Sequence, residues 1–118
     1  MANRRLLRVV GLLREEITDI IRREVHDPRV NERDFTVLRV DVTPDLARAR
    51  VGVSTLLPEK ERDELVAGLR HAAGFIHREL MHRIRIKTVP ELIFEYDGGL
   101  AQSQRIADIL AGLRNENR

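Results

Sequence analysis

The chain has 118 residues, about one domain's worth, with 42% hydrophobic and 34% charged side chains and a formal charge of +2. Without cysteine it offers no disulfide framework, thiolate nucleophile or cysteine-based metal site. No apolar run is long enough to span a membrane, and Met1-Ala2-Asn3-Arg4-Arg5 leads into no signal core, so a cytoplasmic protein is expected.

The first predicted element is a helix from about Asn3 to Val25. Leu6, Val9, Val10, Leu13, Ile17, Ile20 and Ile21 share one stripe at the 3.6-residue period, Asn3 is a candidate cap, and Asp27-Pro28 is a stop. Two strands follow. Leu38, Val40 and Val42 alternate with polar neighbours in the first, and Ala49, Val51 and Val53 do so in the second. Thr43-Pro44-Asp45-Leu46 has turn chemistry and makes the pair a hairpin. From Pro58, a favoured first helical position, Leu65, Val66, Leu69, Ala72, Ala73, Ile76, Leu80 and Ile84 form a second stripe that crosses Gly74 without changing phase. Periodicity therefore predicts one continuous helix. Leu92 to Tyr96 reads as a third strand with Pro90 at its start, and Ile106, Ile109, Leu110 and Leu113 mark a short last helix. The order predicts a single two-layer α+β domain spanning residues 1–118, with an ordered core over about residues 4–113.

The small net charge hides an uneven distribution. Nineteen of the 21 basic residues are Arg, and by segment the balance is +3 over residues 1–23, −3 over 24–69, +4 over 70–87 and −2 over 88–118. Arg4, Arg5 and Arg8 oppose the helix dipole without an acidic neighbour three or four residues on. They fit either a solvated terminus or a polyanionic partner. Arg22 and Arg23, by contrast, sit at the favourable end with Asp19 behind them. The second cluster is Arg70, His71, Arg78, His82, Arg83, Arg85 and Lys87, interrupted only by Glu79. His71, Arg78 and His82 fall opposite the apolar stripe. Arg83, Arg85 and Lys87 alternate with Ile84, Ile86 and Thr88, so in extended chain they project together. Such a one-sign face suits phosphate contact with counterion release, and the arginine fork grips phosphate in two-point fashion. Arg48 and Arg50, on the open sheet face with Arg39, Asp41 and Glu95, are explained by cross-strand ion pairing.

Catalytic signatures are missing. The sequence has no G-x-G-x-x-G, Walker A, H-E-x-x-H or G-x-S-x-G pattern. His71 and His82 share a helical face, but eleven residues of helix separate them by about 16 Å, too far to share a metal. No catalytic residue, metal or cofactor is expected. With Phe35, Phe75, Phe94 and Tyr96 as the only aromatics and no Trp, there is little material for base stacking.

Three stretches carry a resemblance. They are Arg8 through Glu24 leading into Asp27-Pro28-Arg29, then Val40-Asp41-Val42-Thr43-Pro44-Asp45-Leu46 running on to Ala49-Arg50-Val51-Gly52-Val53-Ser54, and lastly Ala72-Ala73-Gly74-Phe75-Ile76-His77-Arg78-Glu79-Leu80 followed by Pro90 through Asp97. In this order and spacing, over roughly residues 4–113, the chain resembles the bacterial ribosome-binding factor A family. The resemblance implies a type II KH-like domain, helices packed on one face of a three-stranded mixed sheet. It also implies a helix–kink–helix at Ala72-Ala73-Gly74 in place of the G-x-x-G loop with which KH domains clamp a nucleic-acid backbone. The implied role is non-catalytic. The protein would bind free small (30S) ribosomal subunits and 16S rRNA, assist late maturation and 5′-end processing of that rRNA, and support growth in the cold. No membrane or small-molecule substrate is implied, and a monomer is expected when free. Without the clamp, contact would rest on side chains: Arg70, His71, Arg78, His82, Arg83, Arg85 and Lys87 around Gly74, with Arg4, Arg5 and Arg8. The alternative is a small α+β module that docks on a protein partner and touches no RNA.

Overall fold

A computed structural model describes residues 4–98 of the chain; the Asn3 cap and the last apolar stripe, Ile106 to Leu113, lie outside them. Helix α1 (Arg4–Glu24) occupies the predicted stretch. Its stripe is buried in the second half, at Leu13, Ile17, Ile20 and Ile21, whereas Leu7 and Leu12 near its start are exposed. The stop at Asp27-Pro28 is also a beginning. Asp27 is extended and its carboxylate accepts the Arg29 backbone N–H at 2.9 Å, while Pro28 takes the first position of a one-turn helix, α2 (Pro28–Asn31).

Strands β1 (Thr36–Val42) and β2 (Arg48–Ser54) form the expected antiparallel hairpin. The Asp45 carboxylate closes its turn by accepting from Thr43 Oγ1 at 2.6 Å and from Ala47 N–H at 3.0 Å. These two bonds, the hydroxyl's first, hold the Asp45 carboxyl below its ordinary range. Strand β2 has the predicted alternation, with Ala49, Val51 and Val53 fully buried. Strand β1 does not. Its register against β2 shifts between Val37 and Arg39, and the extra residue rotates the strand, so Val37 and Val40 face the core while Leu38 is exposed.

Helix α3 (Glu59–Arg83) is a single 25-residue helix running through Ala72, Ala73 and Gly74, as the stripe predicted. The implied kink is therefore not a break in the helix. Strand β3 (Glu91–Tyr96) pairs in parallel with β2, α3 serving as the crossover, and the sheet order is β1-β2-β3. The domain is thus α+β on a mixed three-stranded sheet. One sheet face meets α1 and α3, with α2 packed against α3, in a single core whose largest fully buried side chain is Phe94. The other face carries ion pairs, Arg50 to Glu95 at 2.9 Å and Arg39 to Asp97 at 3.0 Å, as expected for Arg50, whereas Arg48, for which the same pairing was expected, forms no ion pair among the described residues. Among the described residues, no helix is long and apolar enough to cross a membrane.

Two contacts set where α2 and the chain after it can lie. Arg33 donates to the Glu61 carbonyl at 2.8 Å and pairs with Glu64 at 2.7 Å, tying the chain beyond α2 to the first half of α3. At Gly68, α2 comes so close that a Cβ would stand 2.9 Å from Val30 Cγ2 and 3.2 Å from Arg29 Cβ. Only glycine permits this approach.

Candidate nucleic-acid interface

Arg83 is the first surprise. As the last residue of α3 it does not belong to the extended segment, and it turns back onto α1, 2.6 Å from Asp19, 3.3 Å from Glu16 and 3.7 Å from Glu24. The expectation that Arg83, Arg85 and Lys87 project together is corrected. Three carboxylates spread over about two turns of α1 give Arg83 charge-assisted partners inside the fold. The hydrogen bond from Arg83, with a further one from Arg23, holds the Asp19 carboxyl below its usual range, and Asp19 in turn raises the guanidinium.

Because the folded-state carboxyl is lowered, its contribution is complete above the ordinary aspartate range and is lost as pH falls through the lowered value. An Arg83→Met protein is therefore expected to melt below the parent near neutral pH. The gap should close as acid protonates Asp19. Thermal melts followed by circular dichroism from about pH 7 to about pH 2.5 check this; a gap that stays constant would show that Arg83 stabilises by packing alone.

The segment after α3 is pinned at three points. Ile84 donates its N–H to the Leu80 carbonyl at 2.9 Å and is buried, the His77 Nε2 lies 3.0 Å from the Val89 carbonyl and donates to it, and Pro90 is buried. Between these anchors Ile86 packs on the core, so Arg85 and Lys87 alternate outward and are exposed. His71, Arg78 and His82 are exposed as predicted. Arg70 is exposed but partly committed, since its Nε donates to the Phe94 carbonyl at 2.9 Å.

The last residues of α1, the loop before α2 and the middle of α3 enclose an open cleft of about 530 Å³. Its α3 wall presents His71, Gly74 and Arg78, and its opposite wall presents Glu24, His26 and Asp27. Arg78 lies along the helix surface over Gly74, where a Cβ would be 3.6 Å from its Nη1, in ordinary contact. Asp27 is spent within the loop. Its two oxygens take the Arg29 N–H at 2.9 Å, Nε at 3.1 Å and Nη2 at 2.8 Å, and the Arg29 side chain, followed by that N–H, lowers its carboxyl. Glu24 and His26 were absent from the candidate set because the charge balance of residues 24–69 is negative. The signal that places them is the Asp27-Pro28 cap, which turns the chain toward α3.

The arginines of the first turn stay apart from this cleft. Arg4, Arg5 and Arg8 are exposed at the far end of α1, and sixteen residues of helix put Arg8 about 24 Å along the axis from Glu24. The candidate basic residues thus form two separate groups, one at the start of α1 and one from Arg70 to Lys87. Among the described residues no group of three His, Cys, Asp or Glu is placed to hold a metal ion.

Comparisons with known proteins agree on one family. The family model described as "Ribosome-binding factor A" matches residues 5–110. Similar curated proteins include ribosome-binding factor A of Clostridium novyi, 38% identical with all of both chains covered, and that of Aromatoleum aromaticum, 41% identical over 87% of this chain and 80% of the relative. Among solved structures, the solution structure of a Thermotoga maritima protein described as a ribosome binding factor A is 28% identical, with a TM-score of 0.69 over 80% of this chain and 88% of that one. The Thermus thermophilus ribosome-binding factor A crystal structure, at 22% identity, has a TM-score of 0.65 over 76% of this chain and 93% of its own, which speaks to the fold alone.

Proposed function

The chain belongs to the ribosome-binding factor A family, and on that footing we propose that it binds the free 30S ribosomal subunit by contacting 16S rRNA. In this reading it acts without catalysis in the cytoplasm, as a monomer when free. It assists late maturation and 5′-end processing of 16S rRNA and supports growth in the cold. The observation that carries the RNA contact is the run of exposed groups His71, Arg78, His82, Arg85 and Lys87. Arg78, Arg85 and Lys87 form no ion pair among the described residues, while Arg83 beside them is neutralised by three carboxylates. A cation already paired inside the fold gains little from a phosphate, whereas an unpaired one releases the counterions condensed on RNA. Arg70 can assist through the guanidinium nitrogens it does not spend on Phe94, and Arg4, Arg5 and Arg8 offer a second contact point.

On this account the protein stabilises one rRNA arrangement over another, which requires different affinities for the two. Gradient sedimentation of a cell extract is the test. The protein should travel with free small subunits, be absent from the 70S peak and leave the subunit as salt is raised. Association that is insensitive to salt and survives ribonuclease would favour the protein-docking alternative instead.

A further inference from the structure

The cleft beside Gly74 is ill suited to a phosphate. One wall is cationic, with Arg78 and His71, but the facing wall ends in Glu24, whose carboxylate repels a phosphate brought between them. Asp27 is closed off by Arg29, as described above. Glu24 is only loosely engaged. Its side chain is 45% exposed, and its ion pair with Arg83 is long, at 3.7 Å, with no hydrogen bond, so its oxygens can still accept from a ligand. An ionised carboxylate is purely an acceptor with two oxygens, so the cleft asks for a ligand with donors on one end and negative charge on the other.

An unpaired nucleotide has that polarity. Its phosphates would follow the α3 side, where Arg78 lies on the helix surface and Gly74 presents bare backbone. The base would enter the cleft between His71 and His26, planar groups on which bases stack. Among the four bases only guanine offers two adjacent donors, N1–H and the 2-amino group, on its Watson–Crick edge. Adenine and cytosine present one amino group beside a ring acceptor, and uracil one N–H between two carbonyls. We propose that this cleft takes a single unpaired guanine of an RNA strand, with its Watson–Crick edge on the Glu24 carboxylate and its flanking phosphates on the Arg78 side. The inference rests on the RNA-binding reading above and names the nucleotide that reading leaves open.

Fluorescence anisotropy with labelled pentamers UUGUU, UUAUU, UUCUU and UUUUU, at one fixed salt concentration, tests it on the full-length protein. The expected result is a preference for UUGUU of about tenfold, the lower range for a two-point base contact, and its disappearance in Glu24→Gln, which replaces one acceptor by a donor. The readout is the ratio among pentamers, so a general loss of folded protein, which weakens all four alike, does not imitate it. A second variant, Glu24→Ala, should lose the preference too. Equal affinity for all four pentamers, or a guanine preference that persists in both variants, overturns the proposal. So does binding of GMP alone as tight as UUGUU, which would make a free nucleotide the ligand. Sedimentation with the 30S subunit is scored separately, so a protein that binds the subunit but ranks the pentamers equally fails this inference while the broader function stands.

Discussion

Changing Arg78, Arg85 and Lys87 together to Glu is expected to weaken rRNA binding by about a hundredfold or more. A cation near a phosphate in water contributes about 1 kcal/mol at 4 Å, and reversal replaces that attraction by a repulsion. Over three positions, after screening by salt, the loss is about 3 kcal/mol, which corresponds to the hundredfold. The dependence of binding on salt should flatten as well, by about two units of the log–log slope, at about 0.7 for each lost contact to single-stranded RNA. All three side chains are exposed, and none forms an ion pair among the described residues, so the variant should melt within a few degrees of the parent. Arg83 is deliberately left out. Glu at that position would place a fourth carboxylate against Glu16, Asp19 and Glu24 and confuse loss of contact with loss of fold. Equilibrium binding to 16S rRNA at several salt concentrations decides the matter. Unchanged affinity and slope would remove this face from the interface.

Two glycines of α3 give opposite results for the same substitution. Gly74→Ala is expected to stabilise the protein by about 0.5–1 kcal/mol, because an interior helical glycine costs that much relative to alanine and the added methyl meets only Arg78 Nη1 at 3.6 Å. Gly68→Ala is expected to destabilise by about 1–2 kcal/mol, the cost of overpacking less the propensity gained. Its Cβ would stand 2.9 Å from a methyl of the buried Val30, a stiff β-branched side chain, and 3.2 Å from Arg29 Cβ. Neither can swing away, so α2 must move as a unit. For a domain of this size 1 kcal/mol is about 4–8 °C in Tm, and calorimetry separates the two signs readily. A Gly74→Ala protein that is more stable yet binds RNA more weakly would show that the bare backbone there is kept for the ligand.

Most of the architecture could be read from period alone. The stripes of α1 and α3 and the alternation in β2 place these elements within a residue or two, because each buries one face against a common core. What escaped was set by partners distant in sequence. The bulge that turns Leu38 outward is a property of β1 against β2 and leaves no mark in β1 alone. Four residues are too few to show a helical period, so α2 was visible only as Asp27-Pro28, a pair that can end one helix and begin another. The parallel pairing of β3 came from the family resemblance, as nothing in Leu92 to Tyr96 distinguishes it from an antiparallel strand. For the site, local exposure was legible at His71, Arg78, His82, Arg85 and Lys87. The fate of Arg83 was not, since its carboxylates lie 59 to 67 positions away in the chain. Segment charge therefore overstated the cationic face by one residue and missed the acid, Glu24, that stands across the cleft from it.

The bond from Arg70 to Phe94 bears on how the molecule behaves in a crowd. In β3 the residues at odd positions bond to β2, as the Glu91 and Asp97 N–H groups do, which leaves the even ones directed to the sheet's outer side. Among the described residues β3 has no second neighbour, so Leu92, Phe94 and Tyr96 present an open row of donors and acceptors, the template on which chains aggregate edge to edge. Arg70 occupies the central acceptor of that row, and Arg62, stacked 4.4 Å over the Tyr96 ring, stands at its end. Two arginines of one helix thereby deny another chain a continuous ladder. These two arginines thus have a use in covering a sheet edge that is separate from contact with any ligand.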